Sequence, residues 1–282
     1  MIANLIRVAL LGRALHLGAL PVPQIAQHRT RRNAWILPCA VLGVLTLLVL
    51  AGLPRDPLAS DHLRLQGPSL ALPLGADGLG RDVLARVAHG AVSTVGMAVI
   101  VTAIALVIGL GMGLMPRLAV GPIEITKATP PVIAGLVVAA AMGPSAQGAL
   151  IAVTAVAWAP LAAHTAALVS EVRAQPHVQI APILGVGPVR LVGRSILPAV
   201  AGPVLRHAML RLPGVALALA ALGFLGLGPR PPAPEWGLIL AEGMPYVERA
   251  PWAVLTPVMA LALMSVLGVA LASMGPVWRS RR

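Results

Sequence analysis

Val92–Leu114 reads VSTVGMAVIVTAIALVIGLGMGL, twenty-three residues with no charged side chain. At about 1.5 Å per residue a helix over this stretch is roughly 34 Å long, enough to cross a hydrocarbon core of about 30 Å. A soluble helix needs a polar face, and this stretch offers only Ser93, Thr94 and Thr102. Five more apolar segments lie on either side of it, at Trp35–Leu53, Pro131–Ala146, Gly148–Val169, His207–Leu225 and Trp252–Ala272. The composition of the whole chain agrees: of 282 residues, 58% are hydrophobic and 11% charged, against about 25% charged in an ordinary soluble domain. In a chain this apolar, 29 glycines and 27 prolines suit close-packed and kinked membrane helices. The expectation is an all-α integral membrane protein of about six transmembrane helices.

The connections carry an orientation signal, because cytoplasmic loops are enriched in Arg and Lys. With the N-terminus inside, the inner segments hold fifteen Arg and Lys, from Arg7, Arg13 and Arg29 to Arg279, Arg281 and Arg282. The outer segments hold six: Arg55, Arg64, Arg81, Arg86, Arg230 and Arg249. The acidic residues run the other way, with Glu124 and Glu171 inside and seven outside. Both termini are therefore expected in the cytoplasm of a multi-pass membrane protein. Residues 1–33 carry Arg7, Arg13 and His16 inside an apolar run and lack the uninterrupted core of a signal peptide. They read as an amphipathic segment on the cytoplasmic face. The rest, 34–282, reads as a single transmembrane domain with an inner loop around 170–206.

Several chemistries lack their residues. There is no G-x-x-x-x-G-K-[ST] loop, no H-E-x-x-H and no G-x-S-x-G. Cys39 is the single cysteine, so no disulfide forms within the chain. The net charge of +12 is not clustered with stacking aromatics, which argues against nucleic acid. Seven histidines are scattered, none at metal-ligand spacing from another. His164 lies within a span, where an ionisable group is a functional candidate; the blander expectation is a neutral ring hydrogen-bonded between helices. Gly109 and Gly113, with Gly111 between them, mark a close helix–helix contact.

Three stretches go beyond composition. The first runs Leu74-Gly75-Ala76-Asp77-Gly78-Leu79-Gly80-Arg81-Asp82-Val83-Leu84-Ala85-Arg86. Its glycines suit tight turns, Arg81 has Asp77 or Asp82 as a partner, and Val83–Val87 is expected as a short interfacial helix feeding the next span. A structural cap and direct substrate contact are both open roles for it. The second stretch has Gln179, Ile180 and Ala181, then Gly185, then Ile196-Leu197-Pro198. The third runs Gly223-Phe224-Leu225-Gly226-Leu227-Gly228, then Pro231-Pro232-Ala233-Pro234-Glu235-Trp236-Gly237 and Ala241-Glu242-Gly243. Its prolines make a stiff outer loop, and Trp236 and Trp252 are expected at a membrane interface.

In order and spacing these stretches resemble the C-type permease subunit of the dipeptide, oligopeptide and nickel ABC importers, over roughly residues 29–275. The resemblance implies the type I ABC importer permease fold. It implies a non-catalytic subunit that forms half of a translocation pathway for di- or oligopeptides, in the bacterial cytoplasmic membrane. Nickel or another small solute is the alternative substrate. Implied partners are a homologous second permease in a heterodimer, two ATP-binding cassette ATPase domains and an extracytoplasmic substrate-binding protein. ATP and Mg2+ would be bound by the ATPases, with no cofactor or metal on this chain. The ATPase-coupling element would comprise Val178, Gln179, Ile180, Ala181, Ile183, Leu184, Gly185, Arg190, Arg194 and Pro198, as a short helix and turn. The outer-face motif would comprise Asp77, Gly80, Arg81, Asp82, Pro231, Pro232, Trp236 and Gly237. Gln179 stands where the family pattern has glutamate, and the connection Pro116–Thr129 is short. A stand-alone secondary transporter would need intramembrane carboxylates, and the expected spans contain none.

Overall fold

The computed structural model describes residues 36–273; the N-terminal amphipathic segment, Trp35 and both chain ends lie outside the described residues. In order the helices are α1 (Ile36–Gly52), α2 (Val83–Leu114), α3 (Pro116–Lys127), α4 (Pro131–Met142), α5 (Ala146–Arg173), α6 (Pro176–Ile180), α7 (Pro188–Leu191), α8 (Leu197–Phe224), α9 (Trp236–Gly243) and α10 (Pro251–Ser273). Among the described residues there is no strand, only an isolated bridge between Ala76 and Asp82. Proline opens α3, α4, α6, α7 and α10, where its missing N–H would have had no helical partner. Asp82 caps α2 through Leu84 N and Ala85 N, and Ser145 caps α5 through Gly148 N.

Four helices are long and apolar enough to cross a membrane: α2, α5, the continuous run Pro188–Phe224, and α10. The bent pair α3–α4 makes a fifth if it counts as one span, and α1 is a shorter apolar helix. The six expected segments thus each contain a helix, but the third is not a simple span. The expected connection Pro116–Thr129 is mostly α3, which meets α4 at 93°. Residues 128–130 form the elbow between them. Pro130-Pro131 makes it: neither residue has an N–H, and Pro131 pushes the residue before it to extended backbone, here φ −64°, ψ 140°.

Two other expectations change. Val83–Val87 is no separate interfacial helix but the first turn of the 32-residue α2. The inner loop expected around 170–206 is helical at both ends, since α5 continues to Arg173 and helix resumes at Pro188, leaving residues 174–187 around the short α6. A π-turn at Val192–Ile196 joins α7 to α8, next to Pro198, which cannot donate to the carbonyl of Arg194.

The main core joins α2, α5, α8, α9 and α10 around Val83, Val101, Val153, Leu219, Leu222 and Trp236. The α2–α5 pairing is the most extensive. Gly109 and Gly113 meet Leu161 and Thr165 of α5 so closely that a Cβ would overlap them, whereas Gly111 faces open space. Lipid tails supply no hydrophobic drive between helices, so close backbone approach of this kind is what holds a bundle together.

Candidate functional site

One end of the bundle carries a buried ionic cap. Asp77 sits in the α1–α2 connection. Its Oδ1 accepts from the Leu79 and Arg81 amides at 2.8 and 3.0 Å, and its Oδ2 from Arg81 Nε and Arg86 Nη1 at 2.7 Å each. Glu242 of α9 takes the other side of the same guanidiniums, 2.8 Å from Arg81 Nη2 and 2.6 Å from Arg86 Nη1. Arg55 Nη1 donates to Asp82 Oδ2 at 2.7 Å. Burial alone would raise the Asp77 pKa, but the Arg81 and Leu79 amides and the Arg81 guanidinium outweigh it and hold the carboxyl below its ordinary value. Of the two partners open to Arg81 in the sequence, the structure selects Asp77, because Asp82 is occupied as a helix cap and by Arg55. Arg86, only 1% exposed, and Glu242 complete the cap. Both stood in the quoted motifs, but nothing in their spacing reveals a pairing 156 residues apart. Gly80 closes the Asp77 turn at φ +80°.

Trp236, expected at a membrane interface, is packed inside the protein: it is 2% exposed, in the main core, with Nε1 donating to Val87 O at 2.9 Å. Beside it Glu235, fully buried, caps α9 through Gly237 N and Leu238 N and accepts from Thr94 Oγ1 of α2 at 3.1 Å. Burial pushes this carboxyl up, opposed by those three donors. Gly237 packs so tightly on α8 that a Cβ would overlap the Ala220 carbonyl. Pro231 and Pro232 are the exposed members of the expected outer-face motif; Asp77, Gly80, Arg81, Asp82, Trp236 and Gly237 are all buried. Trp252 is half-buried and donates to Ala76 O at 3.1 Å.

The opposite end is built differently. Val178 of α6 is 3% exposed, in a cluster with Val169, Val172, Ile196, Val200 and Val204. Beyond it the chain turns at Gly185, φ +80°. The Val186 amide donates to Ala181 O and the Gly185 amide to Pro182 O, each at 3.0 Å, the double bond pattern of a Schellman cap. Ile180, Ile183, Leu184 and Val189 are 49, 83, 76 and 85% exposed. Arg190, Arg194 and Pro198 are exposed as well, and Gln179 Nε2 donates to Ala174 O at 3.2 Å. Ala181 is half-buried in the turn.

Between the two ends, His164 of α5 lies against His207 of α8, ring centroids 4.4 Å apart and 24° from parallel. The ring is stacked on His207, where the sequence suggests a ring hydrogen-bonded between helices. No group of three potential metal ligands occurs among the described residues.

Residues 102–274, more than half of the chain, match the family of binding-protein-dependent transport system inner membrane components. Among characterised relatives, the di/tripeptide transport system permease protein of Pseudomonas aeruginosa is 34% identical over 224 residues, 76% of this chain and 73% of that one. The dipeptide transport system permease proteins of Alkalihalophilus pseudofirmus and Escherichia coli are each 33% identical, over 73% and 74% of this chain and 70% and 72% of their own. An all-α fold with several apolar helices, two elaborated ends and this match together place the chain in a multi-pass inner-membrane family: it belongs to the binding-protein-dependent transport system inner membrane components, the permease subunits of ABC importers.

Proposed function

We propose that this chain is one transmembrane half of an ATP-driven importer of di- or oligopeptides. The other half is a homologous permease, and an extracytoplasmic binding protein delivers the peptide at the capped end. Two ATPases carry ATP and Mg2+ and dock at the Gly185 end, so that both chain termini are cytoplasmic. The chain itself is non-catalytic. The peptide relatives support the substrate class. The observation that carries the coupling role is the turn after α6: its root is buried through Val178, while Ile180, Ile183 and Leu184 stand exposed on a short helix and turn. Apolar side chains held out on a rigid turn fit an apolar groove on another protein, and Arg190 and Arg194 flank them with positive charge.

The test is uptake of a labelled dipeptide by vesicles containing the whole complex, with ATP hydrolysis measured in parallel. Gly185→Arg should leave the subunit folded and either strip the ATPases from it or separate hydrolysis from uptake. Full assembly with fully coupled uptake would remove the α6 turn from this role. Import of nickel and not of peptides would overturn the substrate class.

A further inference from the structure

We propose that the cavity at the α3–α4 elbow is a station on the translocation path that receives the α-carboxylate of the peptide, with Arg211 as its cation. The proposal rests on the peptide-importer reading and adds a site to it. The cavity holds about 640 Å³ between the elbow, α5 and α8, within the range of small-molecule sites. Lys127, Thr129, Pro160 and Arg211 line it, on walls of small apolar residues such as Val153 and Ala157.

Arg211 is exposed in this chain and lies inside the membrane-length run Pro188–Phe224, 13 residues, or about 20 Å of helix, before its end. A guanidinium within a spanning helix is costly against lipid and belongs against a partner or a watery cavity. The charge asymmetry of the sequence counts Arg211 with the inner connections, although it falls inside the expected span His207–Leu225. Among the described residues no carboxylate pairs with it, whereas Lys127 on the same cavity is held by Glu124 at 3.1 Å. The charged groups of the cavity therefore leave one unbalanced positive charge, at Arg211.

A di- or oligopeptide supplies the complement. Its side chains vary, but every unmodified peptide carries a carboxylate at one end and amide groups along its length. A path that accepts many sequences can read only those shared groups. One fixed cation in a small-residue apolar cavity does this without selecting side chains. Pro160 adds an acceptor: it has no N–H for the carbonyl of Val156, and both residues line the cavity.

The experiment uses the assembled complex in vesicles and reads peptide moved per ATP hydrolysed, for a dipeptide and for its C-terminal amide. Because the same binding protein serves every variant, its own preference cancels when each variant is divided by the wild type. Arg211→Gln should lower transport of the acid about tenfold or more, the size of a lost charge-assisted hydrogen bond, while leaving the amide within about twofold. Arg211→Lys should retain most of the acid transport. Equal loss for acid and amide, or no loss for either, would overturn the proposal. So would failure of both variants to assemble, which would make Arg211 a joint with the second permease. A wild-type complex that imports another solute and no peptide would strike the peptide reading itself, which is distinguishable because no variant is needed to see it.

Discussion

The two ends of the bundle handle charge and apolar surface in opposite ways. At the capped end three guanidiniums, Arg55, Arg81 and Arg86, face three carboxylates, Asp77, Asp82 and Glu242. The large aromatic ring there, Trp236, is buried. At the Gly185 end Arg190 and Arg194 have no ion-pair partner among the described residues, and Ile183 and Leu184 are largely exposed. A buried charge must be paired within the chain or its desolvation penalty goes uncompensated; an exposed one need not be. At the capped end the charges are thus paired within the chain, although Arg86 Nε and Nη2 stay buried without a hydrogen-bond partner, and the Gly185 end is left for another surface to complete. Substitutions at the first should register as lost stability, and at the second as lost assembly or coupling.

The largest effect is expected at Asp77. Asp77→Asn removes the carboxylate that both Arg81 and Arg86 face, and breaking a buried pair of this kind costs about 3 kcal/mol or more. Unfolding of the purified subunit in detergent, followed by protease sensitivity, should show it; a loss below about 1 kcal/mol would mean that the cap is a surface feature. Glu235→Ala comes next, at about 2 kcal/mol, because α9 loses its cap and Thr94 its partner. The released α9 should expose Trp236, visible as a red shift in tryptophan emission.

The same two carboxylates should titrate in opposite senses. Asp77 is held below 3.8, so its contribution is complete above that value and is lost as pH falls through the lower folded value. Glu235 is pushed above 4.5, so its contribution is present below 4.5 and is lost as pH rises through the raised folded value. Unfolding midpoints measured across the acid range should therefore lose their acid-side slope in Asp77→Asn. In Glu235→Gln they should lose the decline above 4.5 instead.

At the Gly185 end the stability effects shrink and the functional ones grow. Gly185→Arg places a side chain at φ +80°, with nothing within 4 Å of its Cβ. The conformational cost is about 1–2 kcal/mol, yet transport should fall far more than stability does. The smallest change is Gln179→Glu. It exchanges the donor to Ala174 O for a carboxylate on an exposed turn, with a stability effect of about 0.5 kcal/mol or less. A gain in ATPase binding would show that glutamine weakens the joint, and no change would show that it serves equally well.

Much of this was legible in the residues themselves. Uninterrupted apolar runs at Val92–Leu114 and Trp252–Ala272 mark α2 and α10, because a bilayer imposes a length and a polarity that composition alone records. Gly185 and the prolines mark turns and helix starts, because backbone geometry there depends on single residues. The spacing of Gly109 and Gly113 marked a close contact, though not with which helix. Other features depended on groups far apart in the chain. Arg86 meets Glu242 across 156 residues, His164 meets His207 across 43, and Glu235 beside the buried Trp236 is bonded by Thr94 of α2 as well as by the first amides of α9. In the sequence a span begins at Pro131 after a short connection, Pro116–Thr129; that the connection is itself a helix, bent 93° from α4, and that a cavity lined by Arg211 opens there, follow from how α3 and α4 both pack on α5. Sequence by itself determined the solvent and the turns, since these are set by local polarity and backbone sterics, and the resemblance of its motifs pointed to the family. Only the tertiary structure decided which charges are paired and which are left free, because ion pairing is fixed by distances that the packing of remote helices creates.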